Sequence, residues 1–106
     1  MIEVNEANYE ELVVGSDQPF LLDFSATWCS PCQQLKPILE ELATELDGKA
    51  RLGHVDVDQN QGLAQKHSVT SVPTMILFAN GKMKERMLGL QPKNAIAAAI
   101  NAAIAG

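Results

Sequence analysis

The chain lacks most of the features that announce a partner class. No segment approaches the ~20 apolar residues needed to span a bilayer, and the opening residues Met1–Glu6 show no basic region followed by an apolar one. Lys and Arg number 8 against 13 Asp and Glu, and no basic cluster offsets the resulting net charge of -5. Nucleic acid and membranes are therefore not expected as partners. No Pro/Gly/Ser linker, internal repeat or long charge run divides the 106 residues, so one domain over 1–106 is expected. These absences point to a cytoplasmic protein that acts on other proteins. A monomer is expected because no second large apolar face is evident.

Cysteine is scarce as well. The only two stand in Trp28-Cys29-Ser30-Pro31-Cys32, directly after a strand-like apolar run and before a helix-like one. Three-residue spacing in a first helical turn brings Cα atoms to about 5–6 Å, inside the range a disulfide tolerates. The unpaired N–H groups and positive dipole end of a helix start also stabilise an anion, so Cys29, the first of the pair, is expected to be the thiolate. A purely structural staple is a poor account, because so short a loop stabilises by only about 2 kcal/mol, against roughly 4.7 kcal/mol for a hundred-residue loop. Zinc fits no better: Cys29, Cys32, His54 and His67 lack the compact spacing of a structural site. No metal and no cofactor are expected, and dithiol redox chemistry is the reading that remains.

What surrounds the pair is an alternation of strands and helices. Phe20–Ala26 is nearly continuous in apolar residues, as in a central strand covered on both faces. Leu35, Ile38, Leu39, Leu42, Ala43 and Leu46 follow helical spacing and predict a long amphipathic helix ending near Asp47-Gly48, kinked at Pro37. Upstream, Asn5 can cap a helix whose Tyr9, Leu12 and Val13 face inward, and Gly15-Ser16-Asp17 turns the chain. Downstream, Ala50–Val57 reads as a strand, Asn60–His67 as a short capped helix and Thr74–Ala79 as a strand. Asn80-Gly81 signals a hairpin returning through Met83–Leu88, and Ile96, Ile100 and Ile104 mark a closing helix. The order β-α-β-α-β-α-β-β-α implies an α/β fold, a mixed sheet flanked by helices.

Asp23 is the residue least at home in this pattern. A carboxylate within an apolar strand is costly to ionise, so its pKa should rise. It is either a hydrogen-bonded structural aspartate or an acid–base group.

Taken together, Asp23-Phe24-Ser25-Ala26-Thr27-Trp28-Cys29-x-Pro31-Cys32, Pro37, Val55-Asp56-Val57-Asp58, Val72-Pro73-Thr74, Phe78-x-Asn80-Gly81 and Gly89 resemble the thioredoxin family over nearly the whole chain. The resemblance implies the thioredoxin fold and a protein-disulfide reductase. In that reading Cys29 attacks a target disulfide and Cys32 resolves the mixed disulfide, while Asp23 accepts the Cys32 proton. Trp28, Ser30 and Pro31 would form part of a shallow docking surface. Pro73 would follow a cis bond and Val72 would present its backbone to an extended substrate, with Gly89 and Leu90 closing the other side. The implied partners are disulfide-containing target proteins and a thioredoxin-reductase-like electron donor.

Three residues depart from the family pattern. Ser30 replaces a common glycine, and its hydroxyl could bond a sulfur or a backbone amide or be neutral in an exposed turn. His54 stands where many members place a lysine near the buried aspartate, and is either a pH-dependent partner of Asp23 or an ordinary exposed strand histidine. Gln33 replaces a common lysine and makes the surroundings less positive. These departures leave two alternatives to a general reductase: a specialised redox protein with few partners, and a binding or holdase subunit that uses the groove without turnover.

Overall fold

The computed structural model describes residues 1–106. Five strands form one sheet in the order β1-β3-β2-β4-β5, with β1 at Ile2–Glu3, β2 at Phe20–Ser25, β3 at Arg51–Asp56, β4 at Thr74–Ala79 and β5 at Lys82–Leu88. β1, β3 and β2 are parallel, whereas β4 pairs antiparallel with β2 and β5 antiparallel with β4, so the sheet is mixed as the element order requires. β2 is central and buried from Phe20 to Phe24, in keeping with its unbroken apolar run.

Alternation along β2 sorts the core into two layers. Phe20, Leu22 and Phe24 face Tyr9, Val13, Leu63 and Phe78 on one side. On the other side Leu21 meets Leu35, Leu39 and Leu42 from helix α1 (Ser30–Glu45) and Ile96 and Ile100 from helix α3 (Lys93–Ala105). Asp23 shares the face of Leu21. Burial of each large apolar side chain stabilises by about 1.5–3 kcal/mol, which is what holds both helical layers to the sheet.

Local details differ from the sequence expectation in two places. The segment after Asn5 is wound as a π-type turn over Glu10–Val14, with the Gly15 N–H donating to the Glu10 carbonyl at 2.9 Å. Asn5 nonetheless acts at its entry, since Asn5 Oδ1 accepts from the Ala7 and Asn8 N–H groups. The short helix α2 (Gln61–Lys66) follows Asn60, but that side chain does not cap it. Asn60 instead accepts from the Glu6 N–H and donates to the Asp56 carbonyl, and Glu6 Oε2 accepts the Gly62 N–H at 2.8 Å. α1 continues unbroken through Pro37. The hairpin is as expected: Asn80 and Gly81 have φ of 55° and 76°, the pair of positive values a two-residue turn of this twist requires. No helix is long and apolar enough to cross a membrane.

Candidate active site

Cys29 and Cys32 are joined in a disulfide with Cα atoms 5.2 Å apart. Cys29 is the N-cap residue of α1, in an extended conformation, and its Sγ accepts the Cys32 N–H at 3.2 Å. The helix begins at Ser30 and Pro31 is its second residue, where the missing N–H would have had no helical partner. An anion at Cys29 Sγ therefore meets both a direct donor and the positive end of a sixteen-residue helix.

Both sulfurs are more covered than an accessible nucleophile suggests: Cys29 is 5% exposed and Cys32 1%. The cover comes from Ala26, Val57 and Val72. Ser30 is exposed, and the polar contacts of Cys29 Sγ are to the Cys32 N–H and the Val72 carbonyl, not to the Ser30 hydroxyl. The Val72–Pro73 bond is cis, Pro73 is buried, and the Val72 carbonyl oxygen lies 3.7 Å from Cys29 Sγ. Two bonds brace this loop: Thr74 Oγ1 donates to the Ser71 carbonyl at 2.7 Å, and the Gly89 N–H donates to the Pro73 carbonyl at 2.9 Å. Gly89 has φ +78°, a conformation that favours glycine, and Leu90 beside it is exposed.

Trp28 projects into solvent at 70% exposure, held by its Nε1–H donating to Asp58 Oδ2 at 2.8 Å. Beside it runs a shallow groove of about 160 Å³ lined by Val57, Val69, Thr70, Ser71 and Val72. The roles of Asp58, Val69, Thr70 and Ser71 escaped the sequence reading. Asp58 had a signal, in the Val-Asp-Val-Asp run at the end of β3; the other three sit in a loop without any periodicity.

On the opposite side of the disulfide lies a cleft of about 150 Å³ that reaches Cys32 and Asp23, with Gln33, Lys36, His54 and Asp56 on its walls. Asp23 is 2% exposed, and no protein group bonds its Oδ1. Burial alone pushes its carboxyl up to about 7 in this disulfide form. His54 is the register partner of Asp23 on β3 and is half-buried rather than exposed. Burial lowers its proton affinity, which favours the neutral imidazole, and its side chain makes no ion pair with Asp23. Gln33 is exposed, with Nε2 donating to the Thr27 carbonyl at 3.4 Å. His67 lies on the other face of the sheet among Tyr9, Phe24 and Phe78, far from any shared ligand set with the cysteines. No group of three metal-ligating side chains comes together.

The sequence model of the thioredoxin family matches residues 1–102. A thioredoxin of Haemophilus influenzae is 42% identical over 101 residues, covering 95% of this chain and 94% of the relative. A thioredoxin of Rickettsia bellii is 41% identical over 98 residues, covering 92% and 93%. Among solved structures, a mutant thioredoxin from Halobacterium salinarum superposes with a TM-score of 0.89 at 36% identity, covering 97% of this chain and 89% of that one. With its fold, its cysteine pair and nearly its whole length matched, the chain belongs to the thioredoxin family of thiol-disulfide oxidoreductases.

Proposed function

We propose that this protein is a general reductase of protein disulfides that works as a monomeric single domain in the cytoplasm. The observation that carries the mechanism is the position of Cys29 Sγ at the N-cap of α1, accepting the Cys32 N–H, with Cys32 behind it in the buried layer. In the reduced protein the Cys29 thiolate attacks a target disulfide, forming a Cys29–target bond as one target sulfur departs with the electron pair. Cys32 gives its proton to Asp23 and attacks Cys29 Sγ, which closes the intramolecular disulfide and releases the second target sulfur. Two electrons have then moved to the target, and a thioredoxin-reductase-like donor returns them.

Substrate recognition falls to the Trp28 groove. Trp28 and Pro31 supply apolar contact beside the sulfur, and Ser30, Val72, Pro73, Gly89 and Leu90 frame the path of an extended target segment. The backbone of Val72 is the natural partner for such a segment because it lies against Cys29.

Insulin reduction with the wild type and with Cys32→Ser tests this reading. Turnover by the wild type, together with loss of turnover and accumulation of a mixed disulfide on Cys29 in the variant, is the expected result. A wild type that binds disulfide proteins without reducing them would overturn it in favour of a binding subunit.

A further inference from the structure

The cleft behind Cys32 poses a question that the reductase reading leaves open. Each release of target deposits the Cys32 proton on Asp23, and each return of electrons needs a proton back at Cys32. Asp23 is almost wholly buried and no protein group bonds its Oδ1, so its protons exchange only through the cleft that it shares with Cys32. His54 lies beside it at the same register position of the neighbouring parallel strand, about 4.8 Å across the sheet, with both side chains on the α1 face. It lines the same cleft and is half-buried, so it is in reach of both the cleft and solvent.

The remaining charged groups around His54 are Lys36 from α1, Glu3 and the Met1 amino group from the β1 end, and Asp56 on β3 itself. An ammonium group only donates and a carboxylate at neutral pH only accepts, whereas imidazole does both near neutrality. We propose that His54 is the proton relay between Asp23 and solvent. The proposal rests on the reductase reading of the site.

As Cys32 Sγ bonds to Cys29 Sγ, the bond between Cys29 and the target breaks and its electron pair leaves on the target sulfur. The Cys32 proton passes to the Asp23 carboxylate, then to a ring nitrogen of His54, then to water, from which the departing target sulfurs draw their protons. Oxidation and reduction are confined to sulfur. Burial, with Lys36 and the Met1 amino group, disfavours the imidazolium, while Glu3 and Asp56 favour it; the net lowering leaves a neutral ring ready to accept. When electrons return, the same path runs backwards.

Catalytic turnover of insulin with dithiothreitol as electron source, at neutral pH and at low and high buffer concentration, tests the relay. His54→Gln, close in size and unable to titrate, is expected to lower kcat about tenfold at low buffer. KM should stay unchanged because the groove lies on the other side of the disulfide, and added buffer should recover the rate. In His54→Ala, added imidazole should restore turnover beyond what an equal concentration of phosphate achieves. Variants that match the wild type and show no buffer dependence would overturn the relay, as would variants slowed equally at every buffer and imidazole concentration. A wild type without turnover in the same assay would instead remove the reductase reading itself.

Discussion

The sheet buries a histidine, His67, on one face and a carboxylate, Asp23, on the other, and the two are treated in opposite ways. On the π-turn and α2 side, His67 is 8% exposed and fully engaged: Nδ1 lies 3.0 Å from the Leu63 carbonyl and Nε2 2.9 Å from the Tyr9 hydroxyl. A neutral ring that donates from Nδ1 and accepts the Tyr9 O–H at Nε2 satisfies every polar atom, and the edges of Tyr9 and Phe78 complete the packing. Arg86 bonds the His67 carbonyl. On the α1 and α3 side, Asp23 is more deeply buried, yet its Oδ1 has no partner. Burial of a polar group is affordable in the first case through hydrogen bonds, and in the second it leaves a free-energy cost beside Cys32. The contrast separates a histidine that serves the fold from a carboxylate whose environment suits proton transfer.

Replacing the satisfied group should have the largest effect. His67→Ala removes a packed ring and strands the Tyr9 hydroxyl, and should lower stability by about 3–4 kcal/mol, read from urea unfolding of the oxidised protein. Asp23→Asn should act in the other direction. Its carboxyl moves from 3.8 to about 7 on folding, which corresponds to roughly 4 kcal/mol of destabilisation when ionised. An unpaired amide returns part of that cost, so a gain of about 2–3 kcal/mol is expected at pH 8, together with slower release of mixed disulfides. If Asp23→Asn were less stable and equally fast, the contrast between the two faces would collapse.

The pH dependence sharpens the same comparison. Because the folded value of Asp23 is raised, its contribution to stability is present below pH 3.8 and is lost as pH rises through about 7. His67 is lowered from 6.5 by burial, so its contribution is present above that value and declines as pH falls beneath it. Stability of Asp23→Asn should therefore climb between pH 4 and 7 more steeply than that of the wild type, in unfolding midpoints measured across that range. Smaller effects belong to single hydrogen bonds on the His67 face. Tyr9→Phe should cost about 1 kcal/mol by leaving His67 Nε2 unpaired. Glu6→Ala, which removes the acceptor at the start of α2, should cost about 0.5–1 kcal/mol and show as faster amide exchange at Gly62.

The sheet and its long helices were legible because their signals are periodic and local. The apolar run of β2, the spacing of Leu35, Leu39 and Leu42, and the Asn80-Gly81 turn each identify an element without reference to the rest of the chain. The cysteine pair and the raised carboxyl of Asp23 were legible for a similar reason: residue type and position on a strand or helix start suffice to name the chemistry. The cap of α2 was not, because its acceptor comes from Glu6, fifty-six residues earlier. Nor was the buried place of His67, whose partners Tyr9, Phe24 and Phe78 are drawn from three separate segments.

The order of elements, the redox pair and the family were thus set by the amino-acid sequence, since backbone preference and hydrophobic period act over a few residues. Which buried polar groups are satisfied, how far each sulfur is covered, and that His54 shares a cleft with Asp23 and Cys32 were decided only by the folded chain. Solvation and electrostatics depend on what lies within a few ångströms in space, and folding brings together residues that sequence distance keeps apart.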